Sequence, residues 1–158
     1  MPCLKDGKTV VWESLAICEY LAERFPAASL WPKNAKARAH ARSISNEMHA
    51  GFMELRKNLP MDCTSKITKI IPNEAAEDID RVTAIWREAR KKYGQGGPFL
   101  FGRFSIADAM YAAVATRFAT YGVKVDPVSK RYMDAILALP AMREWIAAAK
   151  SEKEIVNH

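Results

Sequence analysis

One stretch of this chain limits its architecture more than any other. Residues 105–121, "SIADAMYAAVATRFATY", are apolar on almost every side, interrupted after the first residue only by Asp108, Thr116, Arg117 and Thr120. A helix of that kind has no stripe to turn toward water, so it belongs in the middle of a bundle. Its start is marked as well. Ser105 followed three residues later by Asp108 is the acidic form of a capping box, each side chain accepting from the other residue's backbone N–H. Such a box satisfies the oxygens of a carboxylate that would otherwise be costly to bury, so Ser105 and Asp108 read as folding residues.

The partners of that helix are visible in the spacing of apolar residues. Ala37, Ala41, Ile44, Met48, Phe52, Leu55 and Leu59 recur three and four apart, which predicts one long helix stopped near Pro60. Ala75, Ile79, Val82, Trp86, Ala89 and Tyr93 repeat the pattern until Gly94-Gln95-Gly96-Gly97-Pro98 breaks it. Two shorter helices are expected around Arg131–Ala138 and Ala141–Ala149, divided by Pro140, before a polar tail, "SEKEIVNH", that should fray. The segment "GQGGPFLFG" is glycine-rich but lacks G-K-[ST] and follows a helix rather than a strand. It is a connector, not a phosphate loop.

The first 26 residues are different. Asp6-Gly7 supplies a turn, and Thr9-Val10-Val11-Trp12 is rich in strand formers, so residues 1–12 predict a hairpin. A helix follows, with Leu15, Ala16, Cys18, Tyr20, Leu21 and Phe25 apolar, and Pro26 ends it. A lone hairpin with one helix is marginal in water. It must lean on the bundle, a second subunit or further sequence. The expected division is therefore 1–26, a linker 27–33, and an all-helical domain 34–158. At the head of the first helix, Ser14 reads as an N-cap. The same helix start offers unpaired N–H groups and a positive dipole end to an anion, and Glu13 beside it can receive an ammonium. A ligand with a carboxylate and an amine on one carbon suits the pair.

Charge and composition narrow the function classes. The net charge is +6. Basic residues are interleaved with acids, as in "EDIDRVTAIWREARKK", and the one clean basic stretch, "KNAKARAHAR", carries no aromatics. That favours a solvated helix face or steering of a small anion over nucleic acid. Cys3, Cys18 and Cys63 form no C-x-x-C, so free thiols in a reducing, cytoplasmic setting are expected. No apolar run reaches membrane-spanning length. His40 and His49 lie nine residues apart, off metal-ligand spacing, and neither H-E-x-x-H nor a Ser/His/Asp set appears.

In order along the chain, "PCL", "WESLAICEYL", "LWP" and "FLFGRFSIADAMYAA" resemble a cytosolic glutathione transferase of bacterial type. The resemblance implies a mostly α fold: an all-helical C-terminal bundle preceded by a β-hairpin and helix, which are part of a thioredoxin-like domain. It implies that Pro2 matches a cis-proline and that residue 1, here Met1, pairs through its backbone with the cysteinyl part of glutathione. Glu13 and Ser14 match the pair that holds the γ-glutamyl end, and Ser105 with Asp108 match a folding capping box. An apolar electrophile would sit between the domains near His49, Met53, Met110, Tyr111, Arg117 and Tyr121, a set taken from helix faces rather than from a motif. Glutathione would be co-substrate, no metal is implied, and a homodimer is implied through the helix of Cys18–Phe25 and the helix from Lys36.

The departure is at the start. Family members carry a β-α-β-α stretch ahead of the "VP" strand, and it supplies the Ser, Tyr or Cys that stabilises the glutathione thiolate. In this sequence no residue inherits that role by position, so the chain reads as a truncated transferase with weak activity or none. Two other readings stay open: a non-catalytic ligand-binding or assembly module built on the helical domain, and a redox thiol protein using Cys3 or Cys18.

Overall fold

The structure is a computed structural model that describes residues 2–152. Strands β1 (Cys3–Asp6) and β2 (Thr9–Trp12) pair antiparallel, with Cys3 opposite Trp12 and Asp6 opposite Thr9. Gly7 takes the left-handed conformation that the tight turn needs, at φ 59°. Helix α1 (Ser14–Arg24) follows, and a single 3₁₀ turn (Pro26–Ala28) leads into an irregular connector. Among the described residues, six further helices complete the fold: α2 (Ala35–Ala50), α3 (Met53–Asn58), α4 (Asn73–Tyr93), α5 (Ile106–Thr120), α6 (Pro127–Leu137) and α7 (Pro140–Ser151). The protein is mostly α, with a small two-stranded sheet ahead of a helical bundle.

The apolar helix sits where its composition requires. α5 packs against α2 on one side and α6 on another, and α4 joins α3 and α6. Trp86 of α4 is the centre of the core. Its ring meets Tyr132 at 4.9 Å, Phe118 at 5.4 Å and Tyr111 at 5.9 Å, mostly edge to face. All four rings are buried, together with Leu55, Leu59, Val82, Ile85, Val114 and Ile136. The capping box at the head of α5 forms. The Asp108 carboxylate accepts from the Ser105 N–H at 2.8 Å, the Ser105 hydroxyl at 3.0 Å and the Leu100 N–H at 3.0 Å. Burial pushes its carboxyl above the ordinary range, against the pull of those hydrogen bonds.

The long helix expected to run to Pro60 is two helices. All seven residues of its stripe are buried, but the chain breaks at Gly51 and at Phe52, which lies in the left-handed region at φ 59°. Arg56 repairs the break by donating to the carbonyls of Met48 (2.6 Å) and Gly51 (3.1 Å), which a continuous helix would have paired with N–H groups. Asp78 of α4 accepts from the Leu55 N–H at 2.9 Å and so caps α3 from outside. α6 also begins earlier than the apolar spacing suggests. Asp126 accepts from the N–H groups of Val128 and Ser129, and Pro127 fits the first helical position, where its missing N–H costs nothing. The frayed-tail expectation reaches beyond Glu152 and lies outside the described residues.

The connector 94–105 folds back on α4. The Arg90 guanidinium donates to the carbonyls of Gly94, Gly97 and Phe99. Gly97 lies so close to Gly102 that a Cβ there would stand 2.1 Å from the Gly102 carbonyl oxygen, so no larger residue fits this crossing unshifted.

Candidate functional site

β2 delivers the chain to α1 through Glu13, a non-glycine residue at φ 77° and ψ 133°. That conformation costs of order 1–3 kcal/mol for a residue with a Cβ, and such strain tends to sit where a protein uses it. The Glu13 N–H donates to the Pro2 carbonyl at 3.2 Å, which ties the head of α1 to the start of β1. The side chain then folds over its own helix. Its carboxylate accepts from the N–H of Leu15 at 3.1 Å, the N–H of Ala16 at 3.2 Å and the Ser14 hydroxyl at 3.0 Å.

The cap is therefore Glu13, and the expectation of Ser14 as N-cap is corrected. Ser14 is the first helical residue, and its hydroxyl donates sideways instead of receiving the first-turn N–H groups. The reason is reach. The positive φ swings the longer Glu13 side chain over the helix end before the Ser14 hydroxyl can get there. The Leu15 N–H is the main influence holding the Glu13 carboxyl below its ordinary range, helped by Ala16, Ser14 and the nearby His49. The first-turn N–H groups of α1 are thus occupied by the protein's own carboxylate.

His49, at the end of α2, faces this group across the gap between α1 and the bundle, its Nε2 3.4 Å from Glu13 Oε1. Below it, Arg42 makes a bidentate pair with Glu19 at 2.8 and 2.9 Å, and Leu15 is buried. These contacts position α1 on the bundle. Met1 lies outside the described residues, and with it the Met1–Pro2 bond expected to be cis.

The six residues expected to line an apolar substrate site do not come together. Tyr111 is fully buried and its hydroxyl donates to the Ile44 carbonyl at 3.2 Å, because the aromatic core of α5 absorbs it. Arg117 donates to the Leu59 and Ala113 carbonyls, and the Tyr121 hydroxyl donates to the Pro60 carbonyl, so both hold the end of α3 to α5. Met110 is half-buried against the core, while Met53 is exposed at the start of α3. Only His49 reaches the head of α1.

Cys18 and Cys63 show no activated setting. Burial pushes the Cys18 and Cys63 thiols up, and neighbouring carboxylates add to it at both. A reactive cysteine needs the opposite surroundings. Among the described residues no group of three or more His, Cys, Asp or Glu side chains could hold a metal, and no helix is long and apolar enough to cross a membrane.

Comparison with known proteins identifies the family. Residues 1–23 match the model for the glutathione S-transferase N-terminal domain, and residues 72–148 match the model for the C-terminal domain. The chain is 29% identical to a stringent starvation protein A homolog from Coxiella burnetii, over 98% of this chain and 70% of that protein. It is 30% identical to a probable maleylacetoacetate isomerase from Caenorhabditis elegans, over 86% of this chain and 64% of that protein. Among solved structures, a glutathione transferase homolog from Burkholderia gl BGR1, with bound glutathione, superposes with a TM-score of 0.69. That likeness covers 97% of this chain and 74% of the other at 24% identity, and it speaks to the fold. The two domain matches stand in order along one chain and together take in more than half of it, so the chain belongs to the glutathione S-transferase family.

Proposed function

We propose that the head of α1 binds the γ-glutamyl end of glutathione, and that the family reaction is addition of its thiol to an electrophilic, largely apolar substrate. The observation that carries the reading is the Glu13–Ser14 geometry: a strained residue, a helix N-terminus and a hydroxyl converge on one carboxylate position. On this reading Glu13 swings aside to meet the ligand's ammonium. The ligand carboxylate then takes the place on the Ser14 hydroxyl and first-turn N–H groups that Glu13 now fills. The bound glutathione in the Burkholderia homolog supports the ligand class. Pro2, whose carbonyl already holds the Glu13 N–H, and Met1 beside it would border the cysteinyl part.

Reaction requires the thiolate: the thiol proton passes to solvent, the sulfur attacks the electrophilic carbon, and as the C–S bond forms the π bond at that carbon opens and its electron pair takes a proton from solvent. A thiol with a pKa near ~8.5 is mostly protonated at neutral pH, and a donor aimed at the sulfur is what lowers that value. No residue placed near the head of α1 is assigned that role. This chain alone is expected to bind glutathione and to turn it over weakly or not at all.

Calorimetric titration with glutathione tests the binding. Ser14→Ala should weaken affinity about tenfold, the loss of one hydrogen bond to a charged group. Unchanged affinity in that variant would remove α1 from the reading. Conjugation at the rate of a complete transferase would overturn the claim of impairment. A second reading, a non-catalytic ligand-binding or assembly module, is favoured by the distribution of the core. Before Trp31, only Leu15 is fully buried among the described residues, so the bundle carries the stability whatever α1 binds. A folded chain that gives no heat with glutathione would support it.

A further inference from the structure

Between the loop that joins α3 to α4, the first turns of α4 and the chain just after α5 lies a cavity of about 500 Å³. That volume is in the range of small-molecule sites, roughly 300–1,000 Å³. No residue of the hairpin, α1 or α2 lines it. Its walls are mostly aliphatic: Ile71 from the loop, Ala76 and Ile79 from α4, and Val123 beyond α5, with Tyr121 beside them. Ile79 and Tyr121 are buried, and Ile71 and Val123 pack on the core. The loop is fastened as well. The Ile67 N–H donates to the Thr120 carbonyl at 2.8 Å, the Tyr121 hydroxyl to the Pro60 carbonyl at 3.1 Å, and the Val123 N–H to the Phe118 carbonyl at 3.0 Å.

The charged groups on this lining are of both signs: Lys69, Lys124 and Asp80. Lys69 is partly committed. Its ammonium donates to the Asn58 carbonyl and lies 5.6 Å from the centre of the Tyr121 ring. Asp80 and Lys124 are not within ion-pair distance of any opposite charge among the described residues, each other included. Along α4, the residues one turn from Asp80 are Ala76, Glu77, Thr83 and Ala84, so its own helix offers no cation. Elsewhere on α4, opposite charges that face each other pair directly, Arg81 with Glu47 at 2.6 Å and Arg87 with Asp126 at 2.8 Å. Here they stand apart across an aliphatic cavity. A simple anion or cation would neutralise one group and meet the like charge of the other, whereas a ligand carrying both charges satisfies both.

We infer that this cavity binds an α-amino acid with a branched aliphatic side chain. The ammonium meets Asp80, and the carboxylate meets Lys124 with Lys69 nearby. The side chain lies against Ile71, Ala76, Ile79 and Val123. The inference does not rest on glutathione binding. Because the γ-glutamyl end of glutathione carries the same pair of charges, the position of the bound amino acid separates the two sites.

The test is an NMR chemical-shift titration of the full chain with L-leucine. Two analogues accompany it: 4-methylpentanoate, which lacks the ammonium, and 3-methylbutylamine, which lacks the carboxylate. Leucine should shift amides within 68–80 and 121–124 saturably, leave those of Ser14, Leu15 and Ala16 in place, and bind about tenfold tighter than either analogue. Raising salt should narrow that gap. Asp80→Asn should erase the advantage over 4-methylpentanoate, and Lys124→Gln the advantage over 3-methylbutylamine. Both substitutions change exposed side chains. Excess glutathione should leave leucine affinity unchanged within about twofold. No saturable shift in 68–80, shifts confined to the head of α1, an analogue that binds as tightly as leucine, unchanged leucine affinity in both charge variants, or displacement by glutathione would each overturn the inference. The reading of α1 is decided separately, by the glutathione titration of Ser14→Ala.

Discussion

At the residue scale, Glu13 and Asp126 show how differently two caps can work. Asp126 is a plain N-cap. Burial works against its ionisation, but the Ser129 hydroxyl, Arg87 and the N–H groups of Ser129 and Val128 outweigh that and hold its carboxyl at about 2. Asp126→Ala should cost about 1 kcal/mol at pH 7, read as a lower urea midpoint. Its folded value lies below the unfolded one near 3.8, so the contribution is complete above that pH and fades as pH falls through about 2. The gap between wild type and variant should therefore close in acid. Glu13 combines a cap with strain, and two substitutions separate them. Glu13→Ala loses the cap and keeps the strained backbone. Glu13→Gly loses the cap but relieves the strain, and should unfold at a denaturant concentration closer to wild type. If the alanine variant is the more stable, the positive φ is not strained. The sequence singled out both Glu13 and Ser14 but gave the cap to Ser14, because a glutamate at φ 77° leaves no trace in residue types.

At the scale of elements, periodicity located what packs, and chain breaks escaped it. The stripe from Ala37 to Leu59 was fully legible, since burial follows apolar spacing, and all seven residues are in the core. The interruption at Gly51-Phe52 was not, because Arg56 and Asp78 satisfy the broken ends through side chains remote in sequence or on another helix. The start of α6 did have a signal in Asp126-Pro127, but it is a cap signal, silent in hydrophobic spacing. The capping box of α5 was legible because both partners lie within one turn. The sequence could not show that Asp108 also accepts from Leu100 and so fixes the loop before α5. Asp108→Ala leaves the Leu100 and Ser105 N–H groups buried and unpaired, at roughly 1–3 kcal/mol each. It should lower stability far more than Ser105→Ala, which is expected to cost about 1 kcal/mol. Thermal melts of both variants check this, and equal losses would mean that the box, not the loop, is what Asp108 supports.

At the scale of the molecule, the two parts of the chain are unequally secured. The bundle has a continuous core around Trp86, whereas the hairpin and α1 leave Val10, Trp12 and Phe25 about half exposed or more. α1 is tied to the bundle by the burial of Leu15 and by two polar links, Glu19 with Arg42 and Glu13 with His49. Exposed pairs of this sort contribute at most about 1 kcal/mol each, and a two-stranded hairpin adds little by itself. The sequence showed this imbalance in outline, through the contrast between a short hairpin and two long apolar stripes beside a helix apolar on nearly every side. It could not show the hydrogen bond from the Ile106 N–H to the Leu30 carbonyl, 76 positions apart, which only the fold brings together. The unequal anchoring predicts two unfolding steps. In native-state hydrogen exchange, amides of 3–24 should exchange through a local opening, while those of α4 and α5 exchange only with global unfolding. Glutathione should slow exchange at the head of α1 selectively. Association of two copies through the exposed hairpin would instead protect β2 in proportion to protein concentration. Uniform protection along the chain, independent of concentration and ligand, would show that α1 and the bundle form one cooperative unit.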